Sequence, residues 1–466
     1  MQFEYNSDYP GLIGQGQFIG AEARDPLEFP AVQPLPCARL TTRIYHRERI
    51  ATVENVIVRT VINPSRRKRR GSQSSNSSSD GFMSSSSSSE EDDSMADDDI
   101  SITADPREER AYWVQRTVRE AIYGRVLLAI VLRRRYAGDN ADWESTNERC
   151  AIKEMAWQHI RRERDRLAED PIKEVAAMQY IKDFYEQSIA DDQPQHFVTK
   201  SFRSMLATNI MTPLDLLSDD RFLYSVMPFC EGGELFERLD LNEKFSEPEA
   251  RYWMLQVLNG IANLQRTGVC HRDMSLENLL VHESGALIID LGMCLHIPIQ
   301  ETQSLSAQMQ NMTMNAATAN GAYYNSIPKS AYNAKPMRYL IRPQGTCGKW
   351  IYMSPEIYKN QEPFDGHAVD MWAAGVILFL MLTGFPPWER ACMTDERFKY
   401  MTAGYLVQML TEWNLGLSSD AMDLLQRMLF LDPKDRLSLE QVLAHPWMLQ
   451  PVPTPQQMIG GGGGFI

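Results

Sequence analysis

Along most of this 466-residue chain, strand-like runs come first and helix-like runs come last, and that order constrains the fold more than any other feature. "YWVQRTV" (112–118), "GRVLLAIVLRRR" from Gly124, "CAIKEMAW" (150–157) and "RFLYSVMPF" from Arg221 are rich in branched and aromatic residues and have strand length. Among them, "DPIKEVAAMQYI" (170–181) has apolar residues at helical spacing. Asp170 is its N-cap and Pro171 takes the first helical position. From Glu247 onward the runs are helical: "EPEARYWMLQVLNGIANLQRTG", "AVDMWAAGVILFLMLTG", "SSDAMDLLQRMLF" and "SLEQVLAHPW". This segregation predicts an α+β fold with a small β-rich lobe joined to a larger helical lobe.

The first hundred residues differ in kind. "RRKRR" (Arg66–Arg70) is followed by a serine tract and then by "EEDDSMADDD" (90–99), which has seven acids in ten residues. Such polar, charged sequence cannot bury enough apolar surface to offset its conformational entropy. Residues 1–108 are therefore expected to be mostly disordered, with one candidate strand at Glu54–Ile62 and with scattered aromatics by which residues 1–60 could dock on the folded domain. Residues 448–466, ending in "GGGGGFI", are expected to be a flexible tail. A net charge of −14 argues against bulk nucleic-acid binding. Seven cysteines without CxxC spacing fit a reducing compartment, and no signal peptide is visible at the start. "AAGVILFLML" (373–382) is too short for a membrane span and is read as a buried helix, so no membrane partner is expected.

The chemistry is concentrated in an ordered series of motifs. "HRDMSLENLL" (271–280) is followed by "ALIIDLGM", which places Asp290-Leu291-Gly292 after an apolar strand. "GKWIYMSPE" then ends in Pro355-Glu356, "DMWAAG" begins at Asp370, and Arg436 lies in "DPKDRLSLEQVLAHPW". Upstream, "CAIK" puts Lys153 on a strand and Glu174 falls on the following helix. Any one of these is weak, since a lone Lys–Glu pair is usually a surface pair and a lone loop Asp a turn residue. In this order and together they are specific. Over roughly residues 109–447 the chain resembles the eukaryotic protein kinases, with most similarity to serine/threonine kinases of the calcium/calmodulin-dependent group.

The resemblance implies a bilobal fold, with an N-lobe at 109–228, a C-lobe at 229–447 and a long activation-segment insertion at about 296–343. It implies ATP and Mg2+ as cofactors, and protein substrates with serine or threonine hydroxyls. Asp273 matches the residue that orients the substrate hydroxyl. Asn278 and Asp290 match the metal ligands, and Lys153, paired with Glu174, matches the lysine on the α/β-phosphates. "VMPFCEGGELF" (226–236) resembles the hinge between lobes. Met227 stands at the gatekeeper place, Pro228 and Cys230 at the adenine edge, and Glu234 near the ribose. Val126, Ala151 and Leu280 would sandwich the ring, with Val118 and Gly124 in the phosphate cover. Glu356 and Arg436 are expected to form a buried pair, and Asp370 to brace the catalytic loop.

The chain departs from the family pattern in four places. In "TVREAIYGRV" (117–126), Arg119 and Ala121 replace the first two glycines, while Gly124 and Val126 remain and Tyr123 is positioned to cap the phosphates. Ser275 replaces the usual catalytic-loop lysine while Lys349 stands where a threonine is usual, which suggests that Lys349 reaches back to supply the missing charge. Leu291 replaces a phenylalanine. The segment from Asp290 to Glu356 is unusually long, and such loops are functional or disordered. Arg272 beside Asp273 points to an activation-segment phosphosite, with Thr346 the candidate and an upstream kinase the implied partner. Glu231, Glu234 and Glu277 suggest a preference for arginine in the substrate. Arg66–Arg70 resembles an import signal, giving an expectation of cytoplasmic and nuclear location. The competing reading is a pseudokinase scaffold, kept open by the degraded glycine-rich loop.

Overall fold

The computed structural model describes residues 23–59, 110–135, 141–186, 197–298 and 339–460. The Arg66–Arg70 run, the serine/acidic tract and most of the activation-segment insertion lie outside them. The chain divides into two compact units, residues 35–115 with 129–148, and the remainder.

The smaller unit starts with β1 (Leu35–His46) and β2 (Arg49–Arg59), an antiparallel hairpin closed by Arg47 and Glu48. Both turn residues have positive φ (48° and 63°), the geometry that suits the right-handed twist of a two-residue hairpin. A register shift beside Thr42 accommodates Asn55, also at positive φ. Strands β3 (Arg110–Ala121), β4 (Gly124–Arg134) and β5 (Trp143–Ala156) each contribute residues to both units. Within the smaller unit, β2 pairs antiparallel with β3 at Val56↔Trp113 and β1 pairs parallel with β5 at Ile44↔Trp143. Ile44, Val56, Ala111, Leu132 and Trp143 form its core. Residues 35–59 are thus folded, which corrects the expectation of a mostly disordered segment here. The branched residues of "RIATVENVIVR" have a core to bury against only once β3–β5 are present, and the neighbouring serine tract dilutes their signal.

In the larger unit, β5 leads to α1 (Trp157–Glu163), α2 (Pro171–Glu186) and α3 (Phe197–Thr208), then β6 (Asp215–Ser218) and β7 (Phe222–Pro228). β7 lies between β5 and β6, antiparallel to both, with Lys153 opposite Ser225. Asp170 caps α2: its Oδ1 accepts from Ile172 N at 2.9 Å and Lys173 N at 3.2 Å. Next come α4 (Leu235–Asn242), α5 (Glu247–Arg266) and four short strands, β8 (Val269–Cys270), β9 (Leu279–His282), β10 (Gly285–Ile288) and β11 (Leu295–His296). The last helices are α6 (Pro355–Lys359), α7 (Gly366–Thr383), α8 (Glu396–Tyr400), α9 (Leu406–Glu412), α10 (Ser419–Met428), α11 (Leu439–Leu443) and α12 (Pro455–Gly460).

Helix α7 is apolar on every face because it is surrounded. It is long and apolar enough to cross a membrane by composition, yet 94% of it is buried inside the protein, as in a core helix. Each such Leu, Ile or Phe contributes about 1.5–3 kcal/mol by burial. Beside α7, Arg436 donates to both Glu356 oxygens at 2.7 and 3.0 Å. Arg251 on α5, 2% exposed, donates to Trp447 O, Pro451 O and Gln450 Oε1. Those bonds fix the chain to residue 451, so the tail expected to be flexible from residue 448 starts as ordered structure and ends its described part in α12.

The segment before β1 is docked as well. Arg24 exchanges backbone hydrogen bonds with Leu340 and Arg342, and its guanidinium lies 3.6 Å from the Tyr339 ring centroid. Leu27 N donates to His296 O at 2.8 Å, and Phe29 stacks on His296 and meets Tyr180 of α2. Val32 packs on the cluster of Tyr123, Met155, Ile160 and Val175. One short strap therefore ties α2 to both described ends of the inserted segment.

Candidate active site

Lys153 reaches α2 because it lies on β5 and α2 begins at the capped Asp170. Its Nζ lies 2.6 Å from Glu174 Oε2 and 3.5 Å from Glu169 Oε1. Burial pushes the Lys153 ammonium down, but Glu174, Asp290 and Glu169 outweigh it and hold it above the ordinary lysine range. Burial and the Asp290 charge push Glu174 up to about 7, against the pull of Lys153. Carboxylate oxygens of Glu169, Glu174 and Asp290 lie within 4.8 Å of one another. Glu169 was not among the sequence candidates, and nothing in "AED" marks it.

The catalytic-loop residues are fixed from beneath. Asp370, fully buried, accepts from His271 N at 2.8 Å and Arg272 N at 2.9 Å. This helps hold Arg272 at φ 66°, and Asp290 sits at φ 67°; such left-handed geometry costs non-glycine residues on the order of 1–3 kcal/mol. His271 Nε2 meets Ile289 O at 2.9 Å, while Asp273 N donates to His271 Nδ1 at 3.2 Å. Asn278 Nδ2 donates to Asp273 O at 2.8 Å and Oδ2 at 3.1 Å, so the Asn278 side-chain carbonyl oxygen takes no part in either bond. Burial raises the Asp273 carboxyl, with His271 and Lys349 opposing.

Lys349 N donates to Asp273 Oδ1 at 3.2 Å. Its Nζ donates to Ser275 Oγ at 2.9 Å and lies 3.3 Å from Glu277. The ammonium from the activation segment is thus beside the serine that replaces the usual lysine. Arg272 donates to Gly345 O at 2.8 Å, next to the exposed Thr346.

The adenine-site candidates lie on neighbouring elements. Ala151 and Met227 are register partners on β5 and β7, with Cys150 opposite Pro228. Leu280 on β9 bridges to Glu234. Cys230 is buried, its thiol pushed up to about 12 by desolvation, while Val126 on β4 is half-buried and Val118 on β3 is exposed.

One expectation needs correction. Tyr123 does not cap a phosphate position: it is fully buried and its hydroxyl donates to Glu169 O at 2.7 Å. Gly124 is required by packing, since a Cβ there would lie 2.0 Å from Glu154 O. The three acids assigned to substrate arginine each have a basic partner within the chain. Glu231 pairs with Arg149, Glu234 with Arg119 at 2.9 Å, and Glu277 with Lys349.

The donors present suit magnesium, a hard cation that takes carboxylate and amide oxygens. A protein-family comparison matches residues 174–318 and 331–448, more than half of the chain, to the protein kinase domain. The chain belongs to the protein kinase family. Among curated proteins, this kinase domain is 30% identical over 248 residues to mouse "Serine/threonine-protein kinase DCLK3", covering 53% of this chain and 26% of that one. It is 29% identical to "Calcium/calmodulin-dependent protein kinase cmkB" of Emericella nidulans, covering 54% of each. It is 28% identical to "Serine/threonine-protein kinase SAPK1" of Oryza sativa, covering 58% of this chain and 68% of that one. The kinase match thus spans only about a quarter of the mouse relative's length.

Proposed function

We propose that the chain is an ATP-dependent serine/threonine protein kinase that transfers the γ-phosphoryl group to protein hydroxyls. The observation that carries this reading is the closed Lys153–Glu174 pair at 2.6 Å beside Asp290. A buried lysine held by a carboxylate is a preorganised positive charge for the phosphates, and phosphoryl transfer depends on positioning and charge more than on covalent chemistry. Asp273, oriented by Asn278 and Lys349 N, accepts the hydrogen bond of the substrate hydroxyl and aligns its oxygen. Asn278 and Asp290 would hold magnesium, which when bound supplies neutralisation of phosphate charge. Lys349 supplies the second protein cation, and Ser275 Oγ and Glu277 position it. Arg272 would read a phosphate at Thr346 added by an upstream kinase, an ordering step that adds an arginine-paired charge.

A second reading, a scaffold with little phosphotransfer, draws on one observation: Arg119 occupies Glu234, the carboxylate assigned to the ribose. The two readings separate in a radiolabelled ATP assay on generic protein substrates. The kinase reading expects strong labelling by the wild type and a loss of at least about 100-fold in Asp290→Asn. Equal labelling by the two proteins overturns it.

A further inference from the structure

Glu169 is a second carboxylate on the phosphate-binding lysine, and the ordinary Lys–Glu pair does not account for it. It reaches the site from the loop before α2 rather than from the helix. The delivery is specific. Tyr123 Oη donates to the Glu169 carbonyl at 2.7 Å, Asp170 N donates to Gly292 O at 3.1 Å, and Arg164 pairs with Asp170 at 2.9 Å. The Glu169 stem passes directly over Gly292, where a Cβ would lie 2.6 Å from Glu169 Cγ. Its carboxylate ends 3.5 Å from Lys153 Nζ, with 13% of the side chain exposed. The same ammonium already has Glu174 at 2.6 Å. A lysine has three hydrogens to donate. Glu174 takes one of them at 2.6 Å, Glu169 faces the ammonium at 3.5 Å, and oxygens of both carboxylates lie within 4.8 Å of Asp290, which is assigned to the metal.

We propose that Glu169 is a positioning residue that stands in for nucleotide phosphate: before nucleotide binds its carboxylate holds Lys153 in place, and it competes with the nucleotide's phosphates for that lysine. This rests on the reading of Lys153 as the phosphate contact. The competition has a definite sign. An anionic nucleotide entering the site meets the Glu169 charge and must share or displace its hold on Lys153. Removing the charge while keeping the shape should tighten nucleotide binding. The gain should be largest when no divalent cation offsets the phosphate charge.

The test is calorimetric titration of the full chain with ADP, once in EDTA and once with saturating magnesium, for wild type, Glu169→Gln and Glu169→Ala. The Tyr123 bond is to the Glu169 main chain, so both substitutions leave it in place. In EDTA the dissociation constant should fall about threefold to tenfold in both variants, as expected for removing one like charge at this range, and by less with magnesium. Unchanged or weaker binding in EDTA overturns the proposal. Weakening confined to the magnesium series also overturns it, because it makes Glu169 a metal ligand. If the wild type binds no ADP in either series, the nucleotide reading fails together with this inference, whereas wild-type binding with unmoved variants defeats this inference alone.

Discussion

At the residue scale, the decisive exchange is between Ser275 and Lys349. A catalytic loop without its lysine leaves charge on the transferred group uncompensated, unless another cation arrives from a different element. Lys349, with its Nζ 2.9 Å from Ser275 Oγ, is the cation proposed for that place, and its backbone N–H donates to Asp273 at 3.2 Å. Its side chain is 40% exposed, so its charge is partly screened. Lys349→Ala should therefore lower kcat by about 10- to 100-fold with a smaller change in KM for peptide, the pattern of a contact made in the transition state. The double change Ser275→Lys, Lys349→Thr moves the ammonium back to the catalytic loop and should recover most of the lost kcat. Steady-state kinetics on both proteins checks this, and an unaltered kcat in Lys349→Ala would refute it.

At the element scale, the strap from Arg24 to Val32 was only faintly signalled, by scattered aromatics that could dock. It has no periodicity, and its contacts are made by scattered residues: a guanidinium on Tyr339, one ring on His296 and Tyr180, and one valine on the Tyr123 cluster. Because it touches both α2 and the ends of the inserted segment, it holds in place the helix that carries Glu174. Deleting residues 1–34 should lower the melting temperature by about 4–6 °C, from lost aromatic and valine burial, and should lower kcat by loosening the Lys153–Glu174 pair. Scanning calorimetry and initial rates on the truncated chain measure both, and a truncation that leaves both unchanged would make the strap inert. By contrast, α2, α5 and α7 were legible, because the Asp170 cap, the apolar residues of helical period in α5 and the continuous apolar run of α7 are local signals. Lys153, Asp273, Asn278 and Asp290 were legible from motif order. Glu169 was not, since its role depends on a loop trajectory set by Tyr123 and Gly292, far from it in sequence.

At the scale of the whole molecule, the charge of −14 makes attraction of basic substrates the simple expectation, and the acids at the hinge and catalytic loop would focus it. The internal pairing works against that. Arg119 on Glu234, Arg149 on Glu231 and Lys349 on Glu277 place a cation of the chain itself where a substrate arginine was assigned. The Arg119 and Arg149 side chains are 55% and 46% exposed, so each pair is weak, worth about 0.2–1 kcal/mol, and a peptide can displace it only at that cost. The pairing predicts graded selectivity. The wild type should discriminate only modestly between peptides with and without upstream arginine. Arg119→Ala with Arg149→Ala should raise that discrimination by about twofold to tenfold in kcat/KM, in proportion to the two pairs removed, and the gain should shrink at high salt. Rates on matched peptide pairs at low and high ionic strength read this directly. A double variant with unchanged discrimination at low salt would mean that Glu231 and Glu234 do not meet the substrate, and would transfer the question of specificity to other residues of the kinase domain.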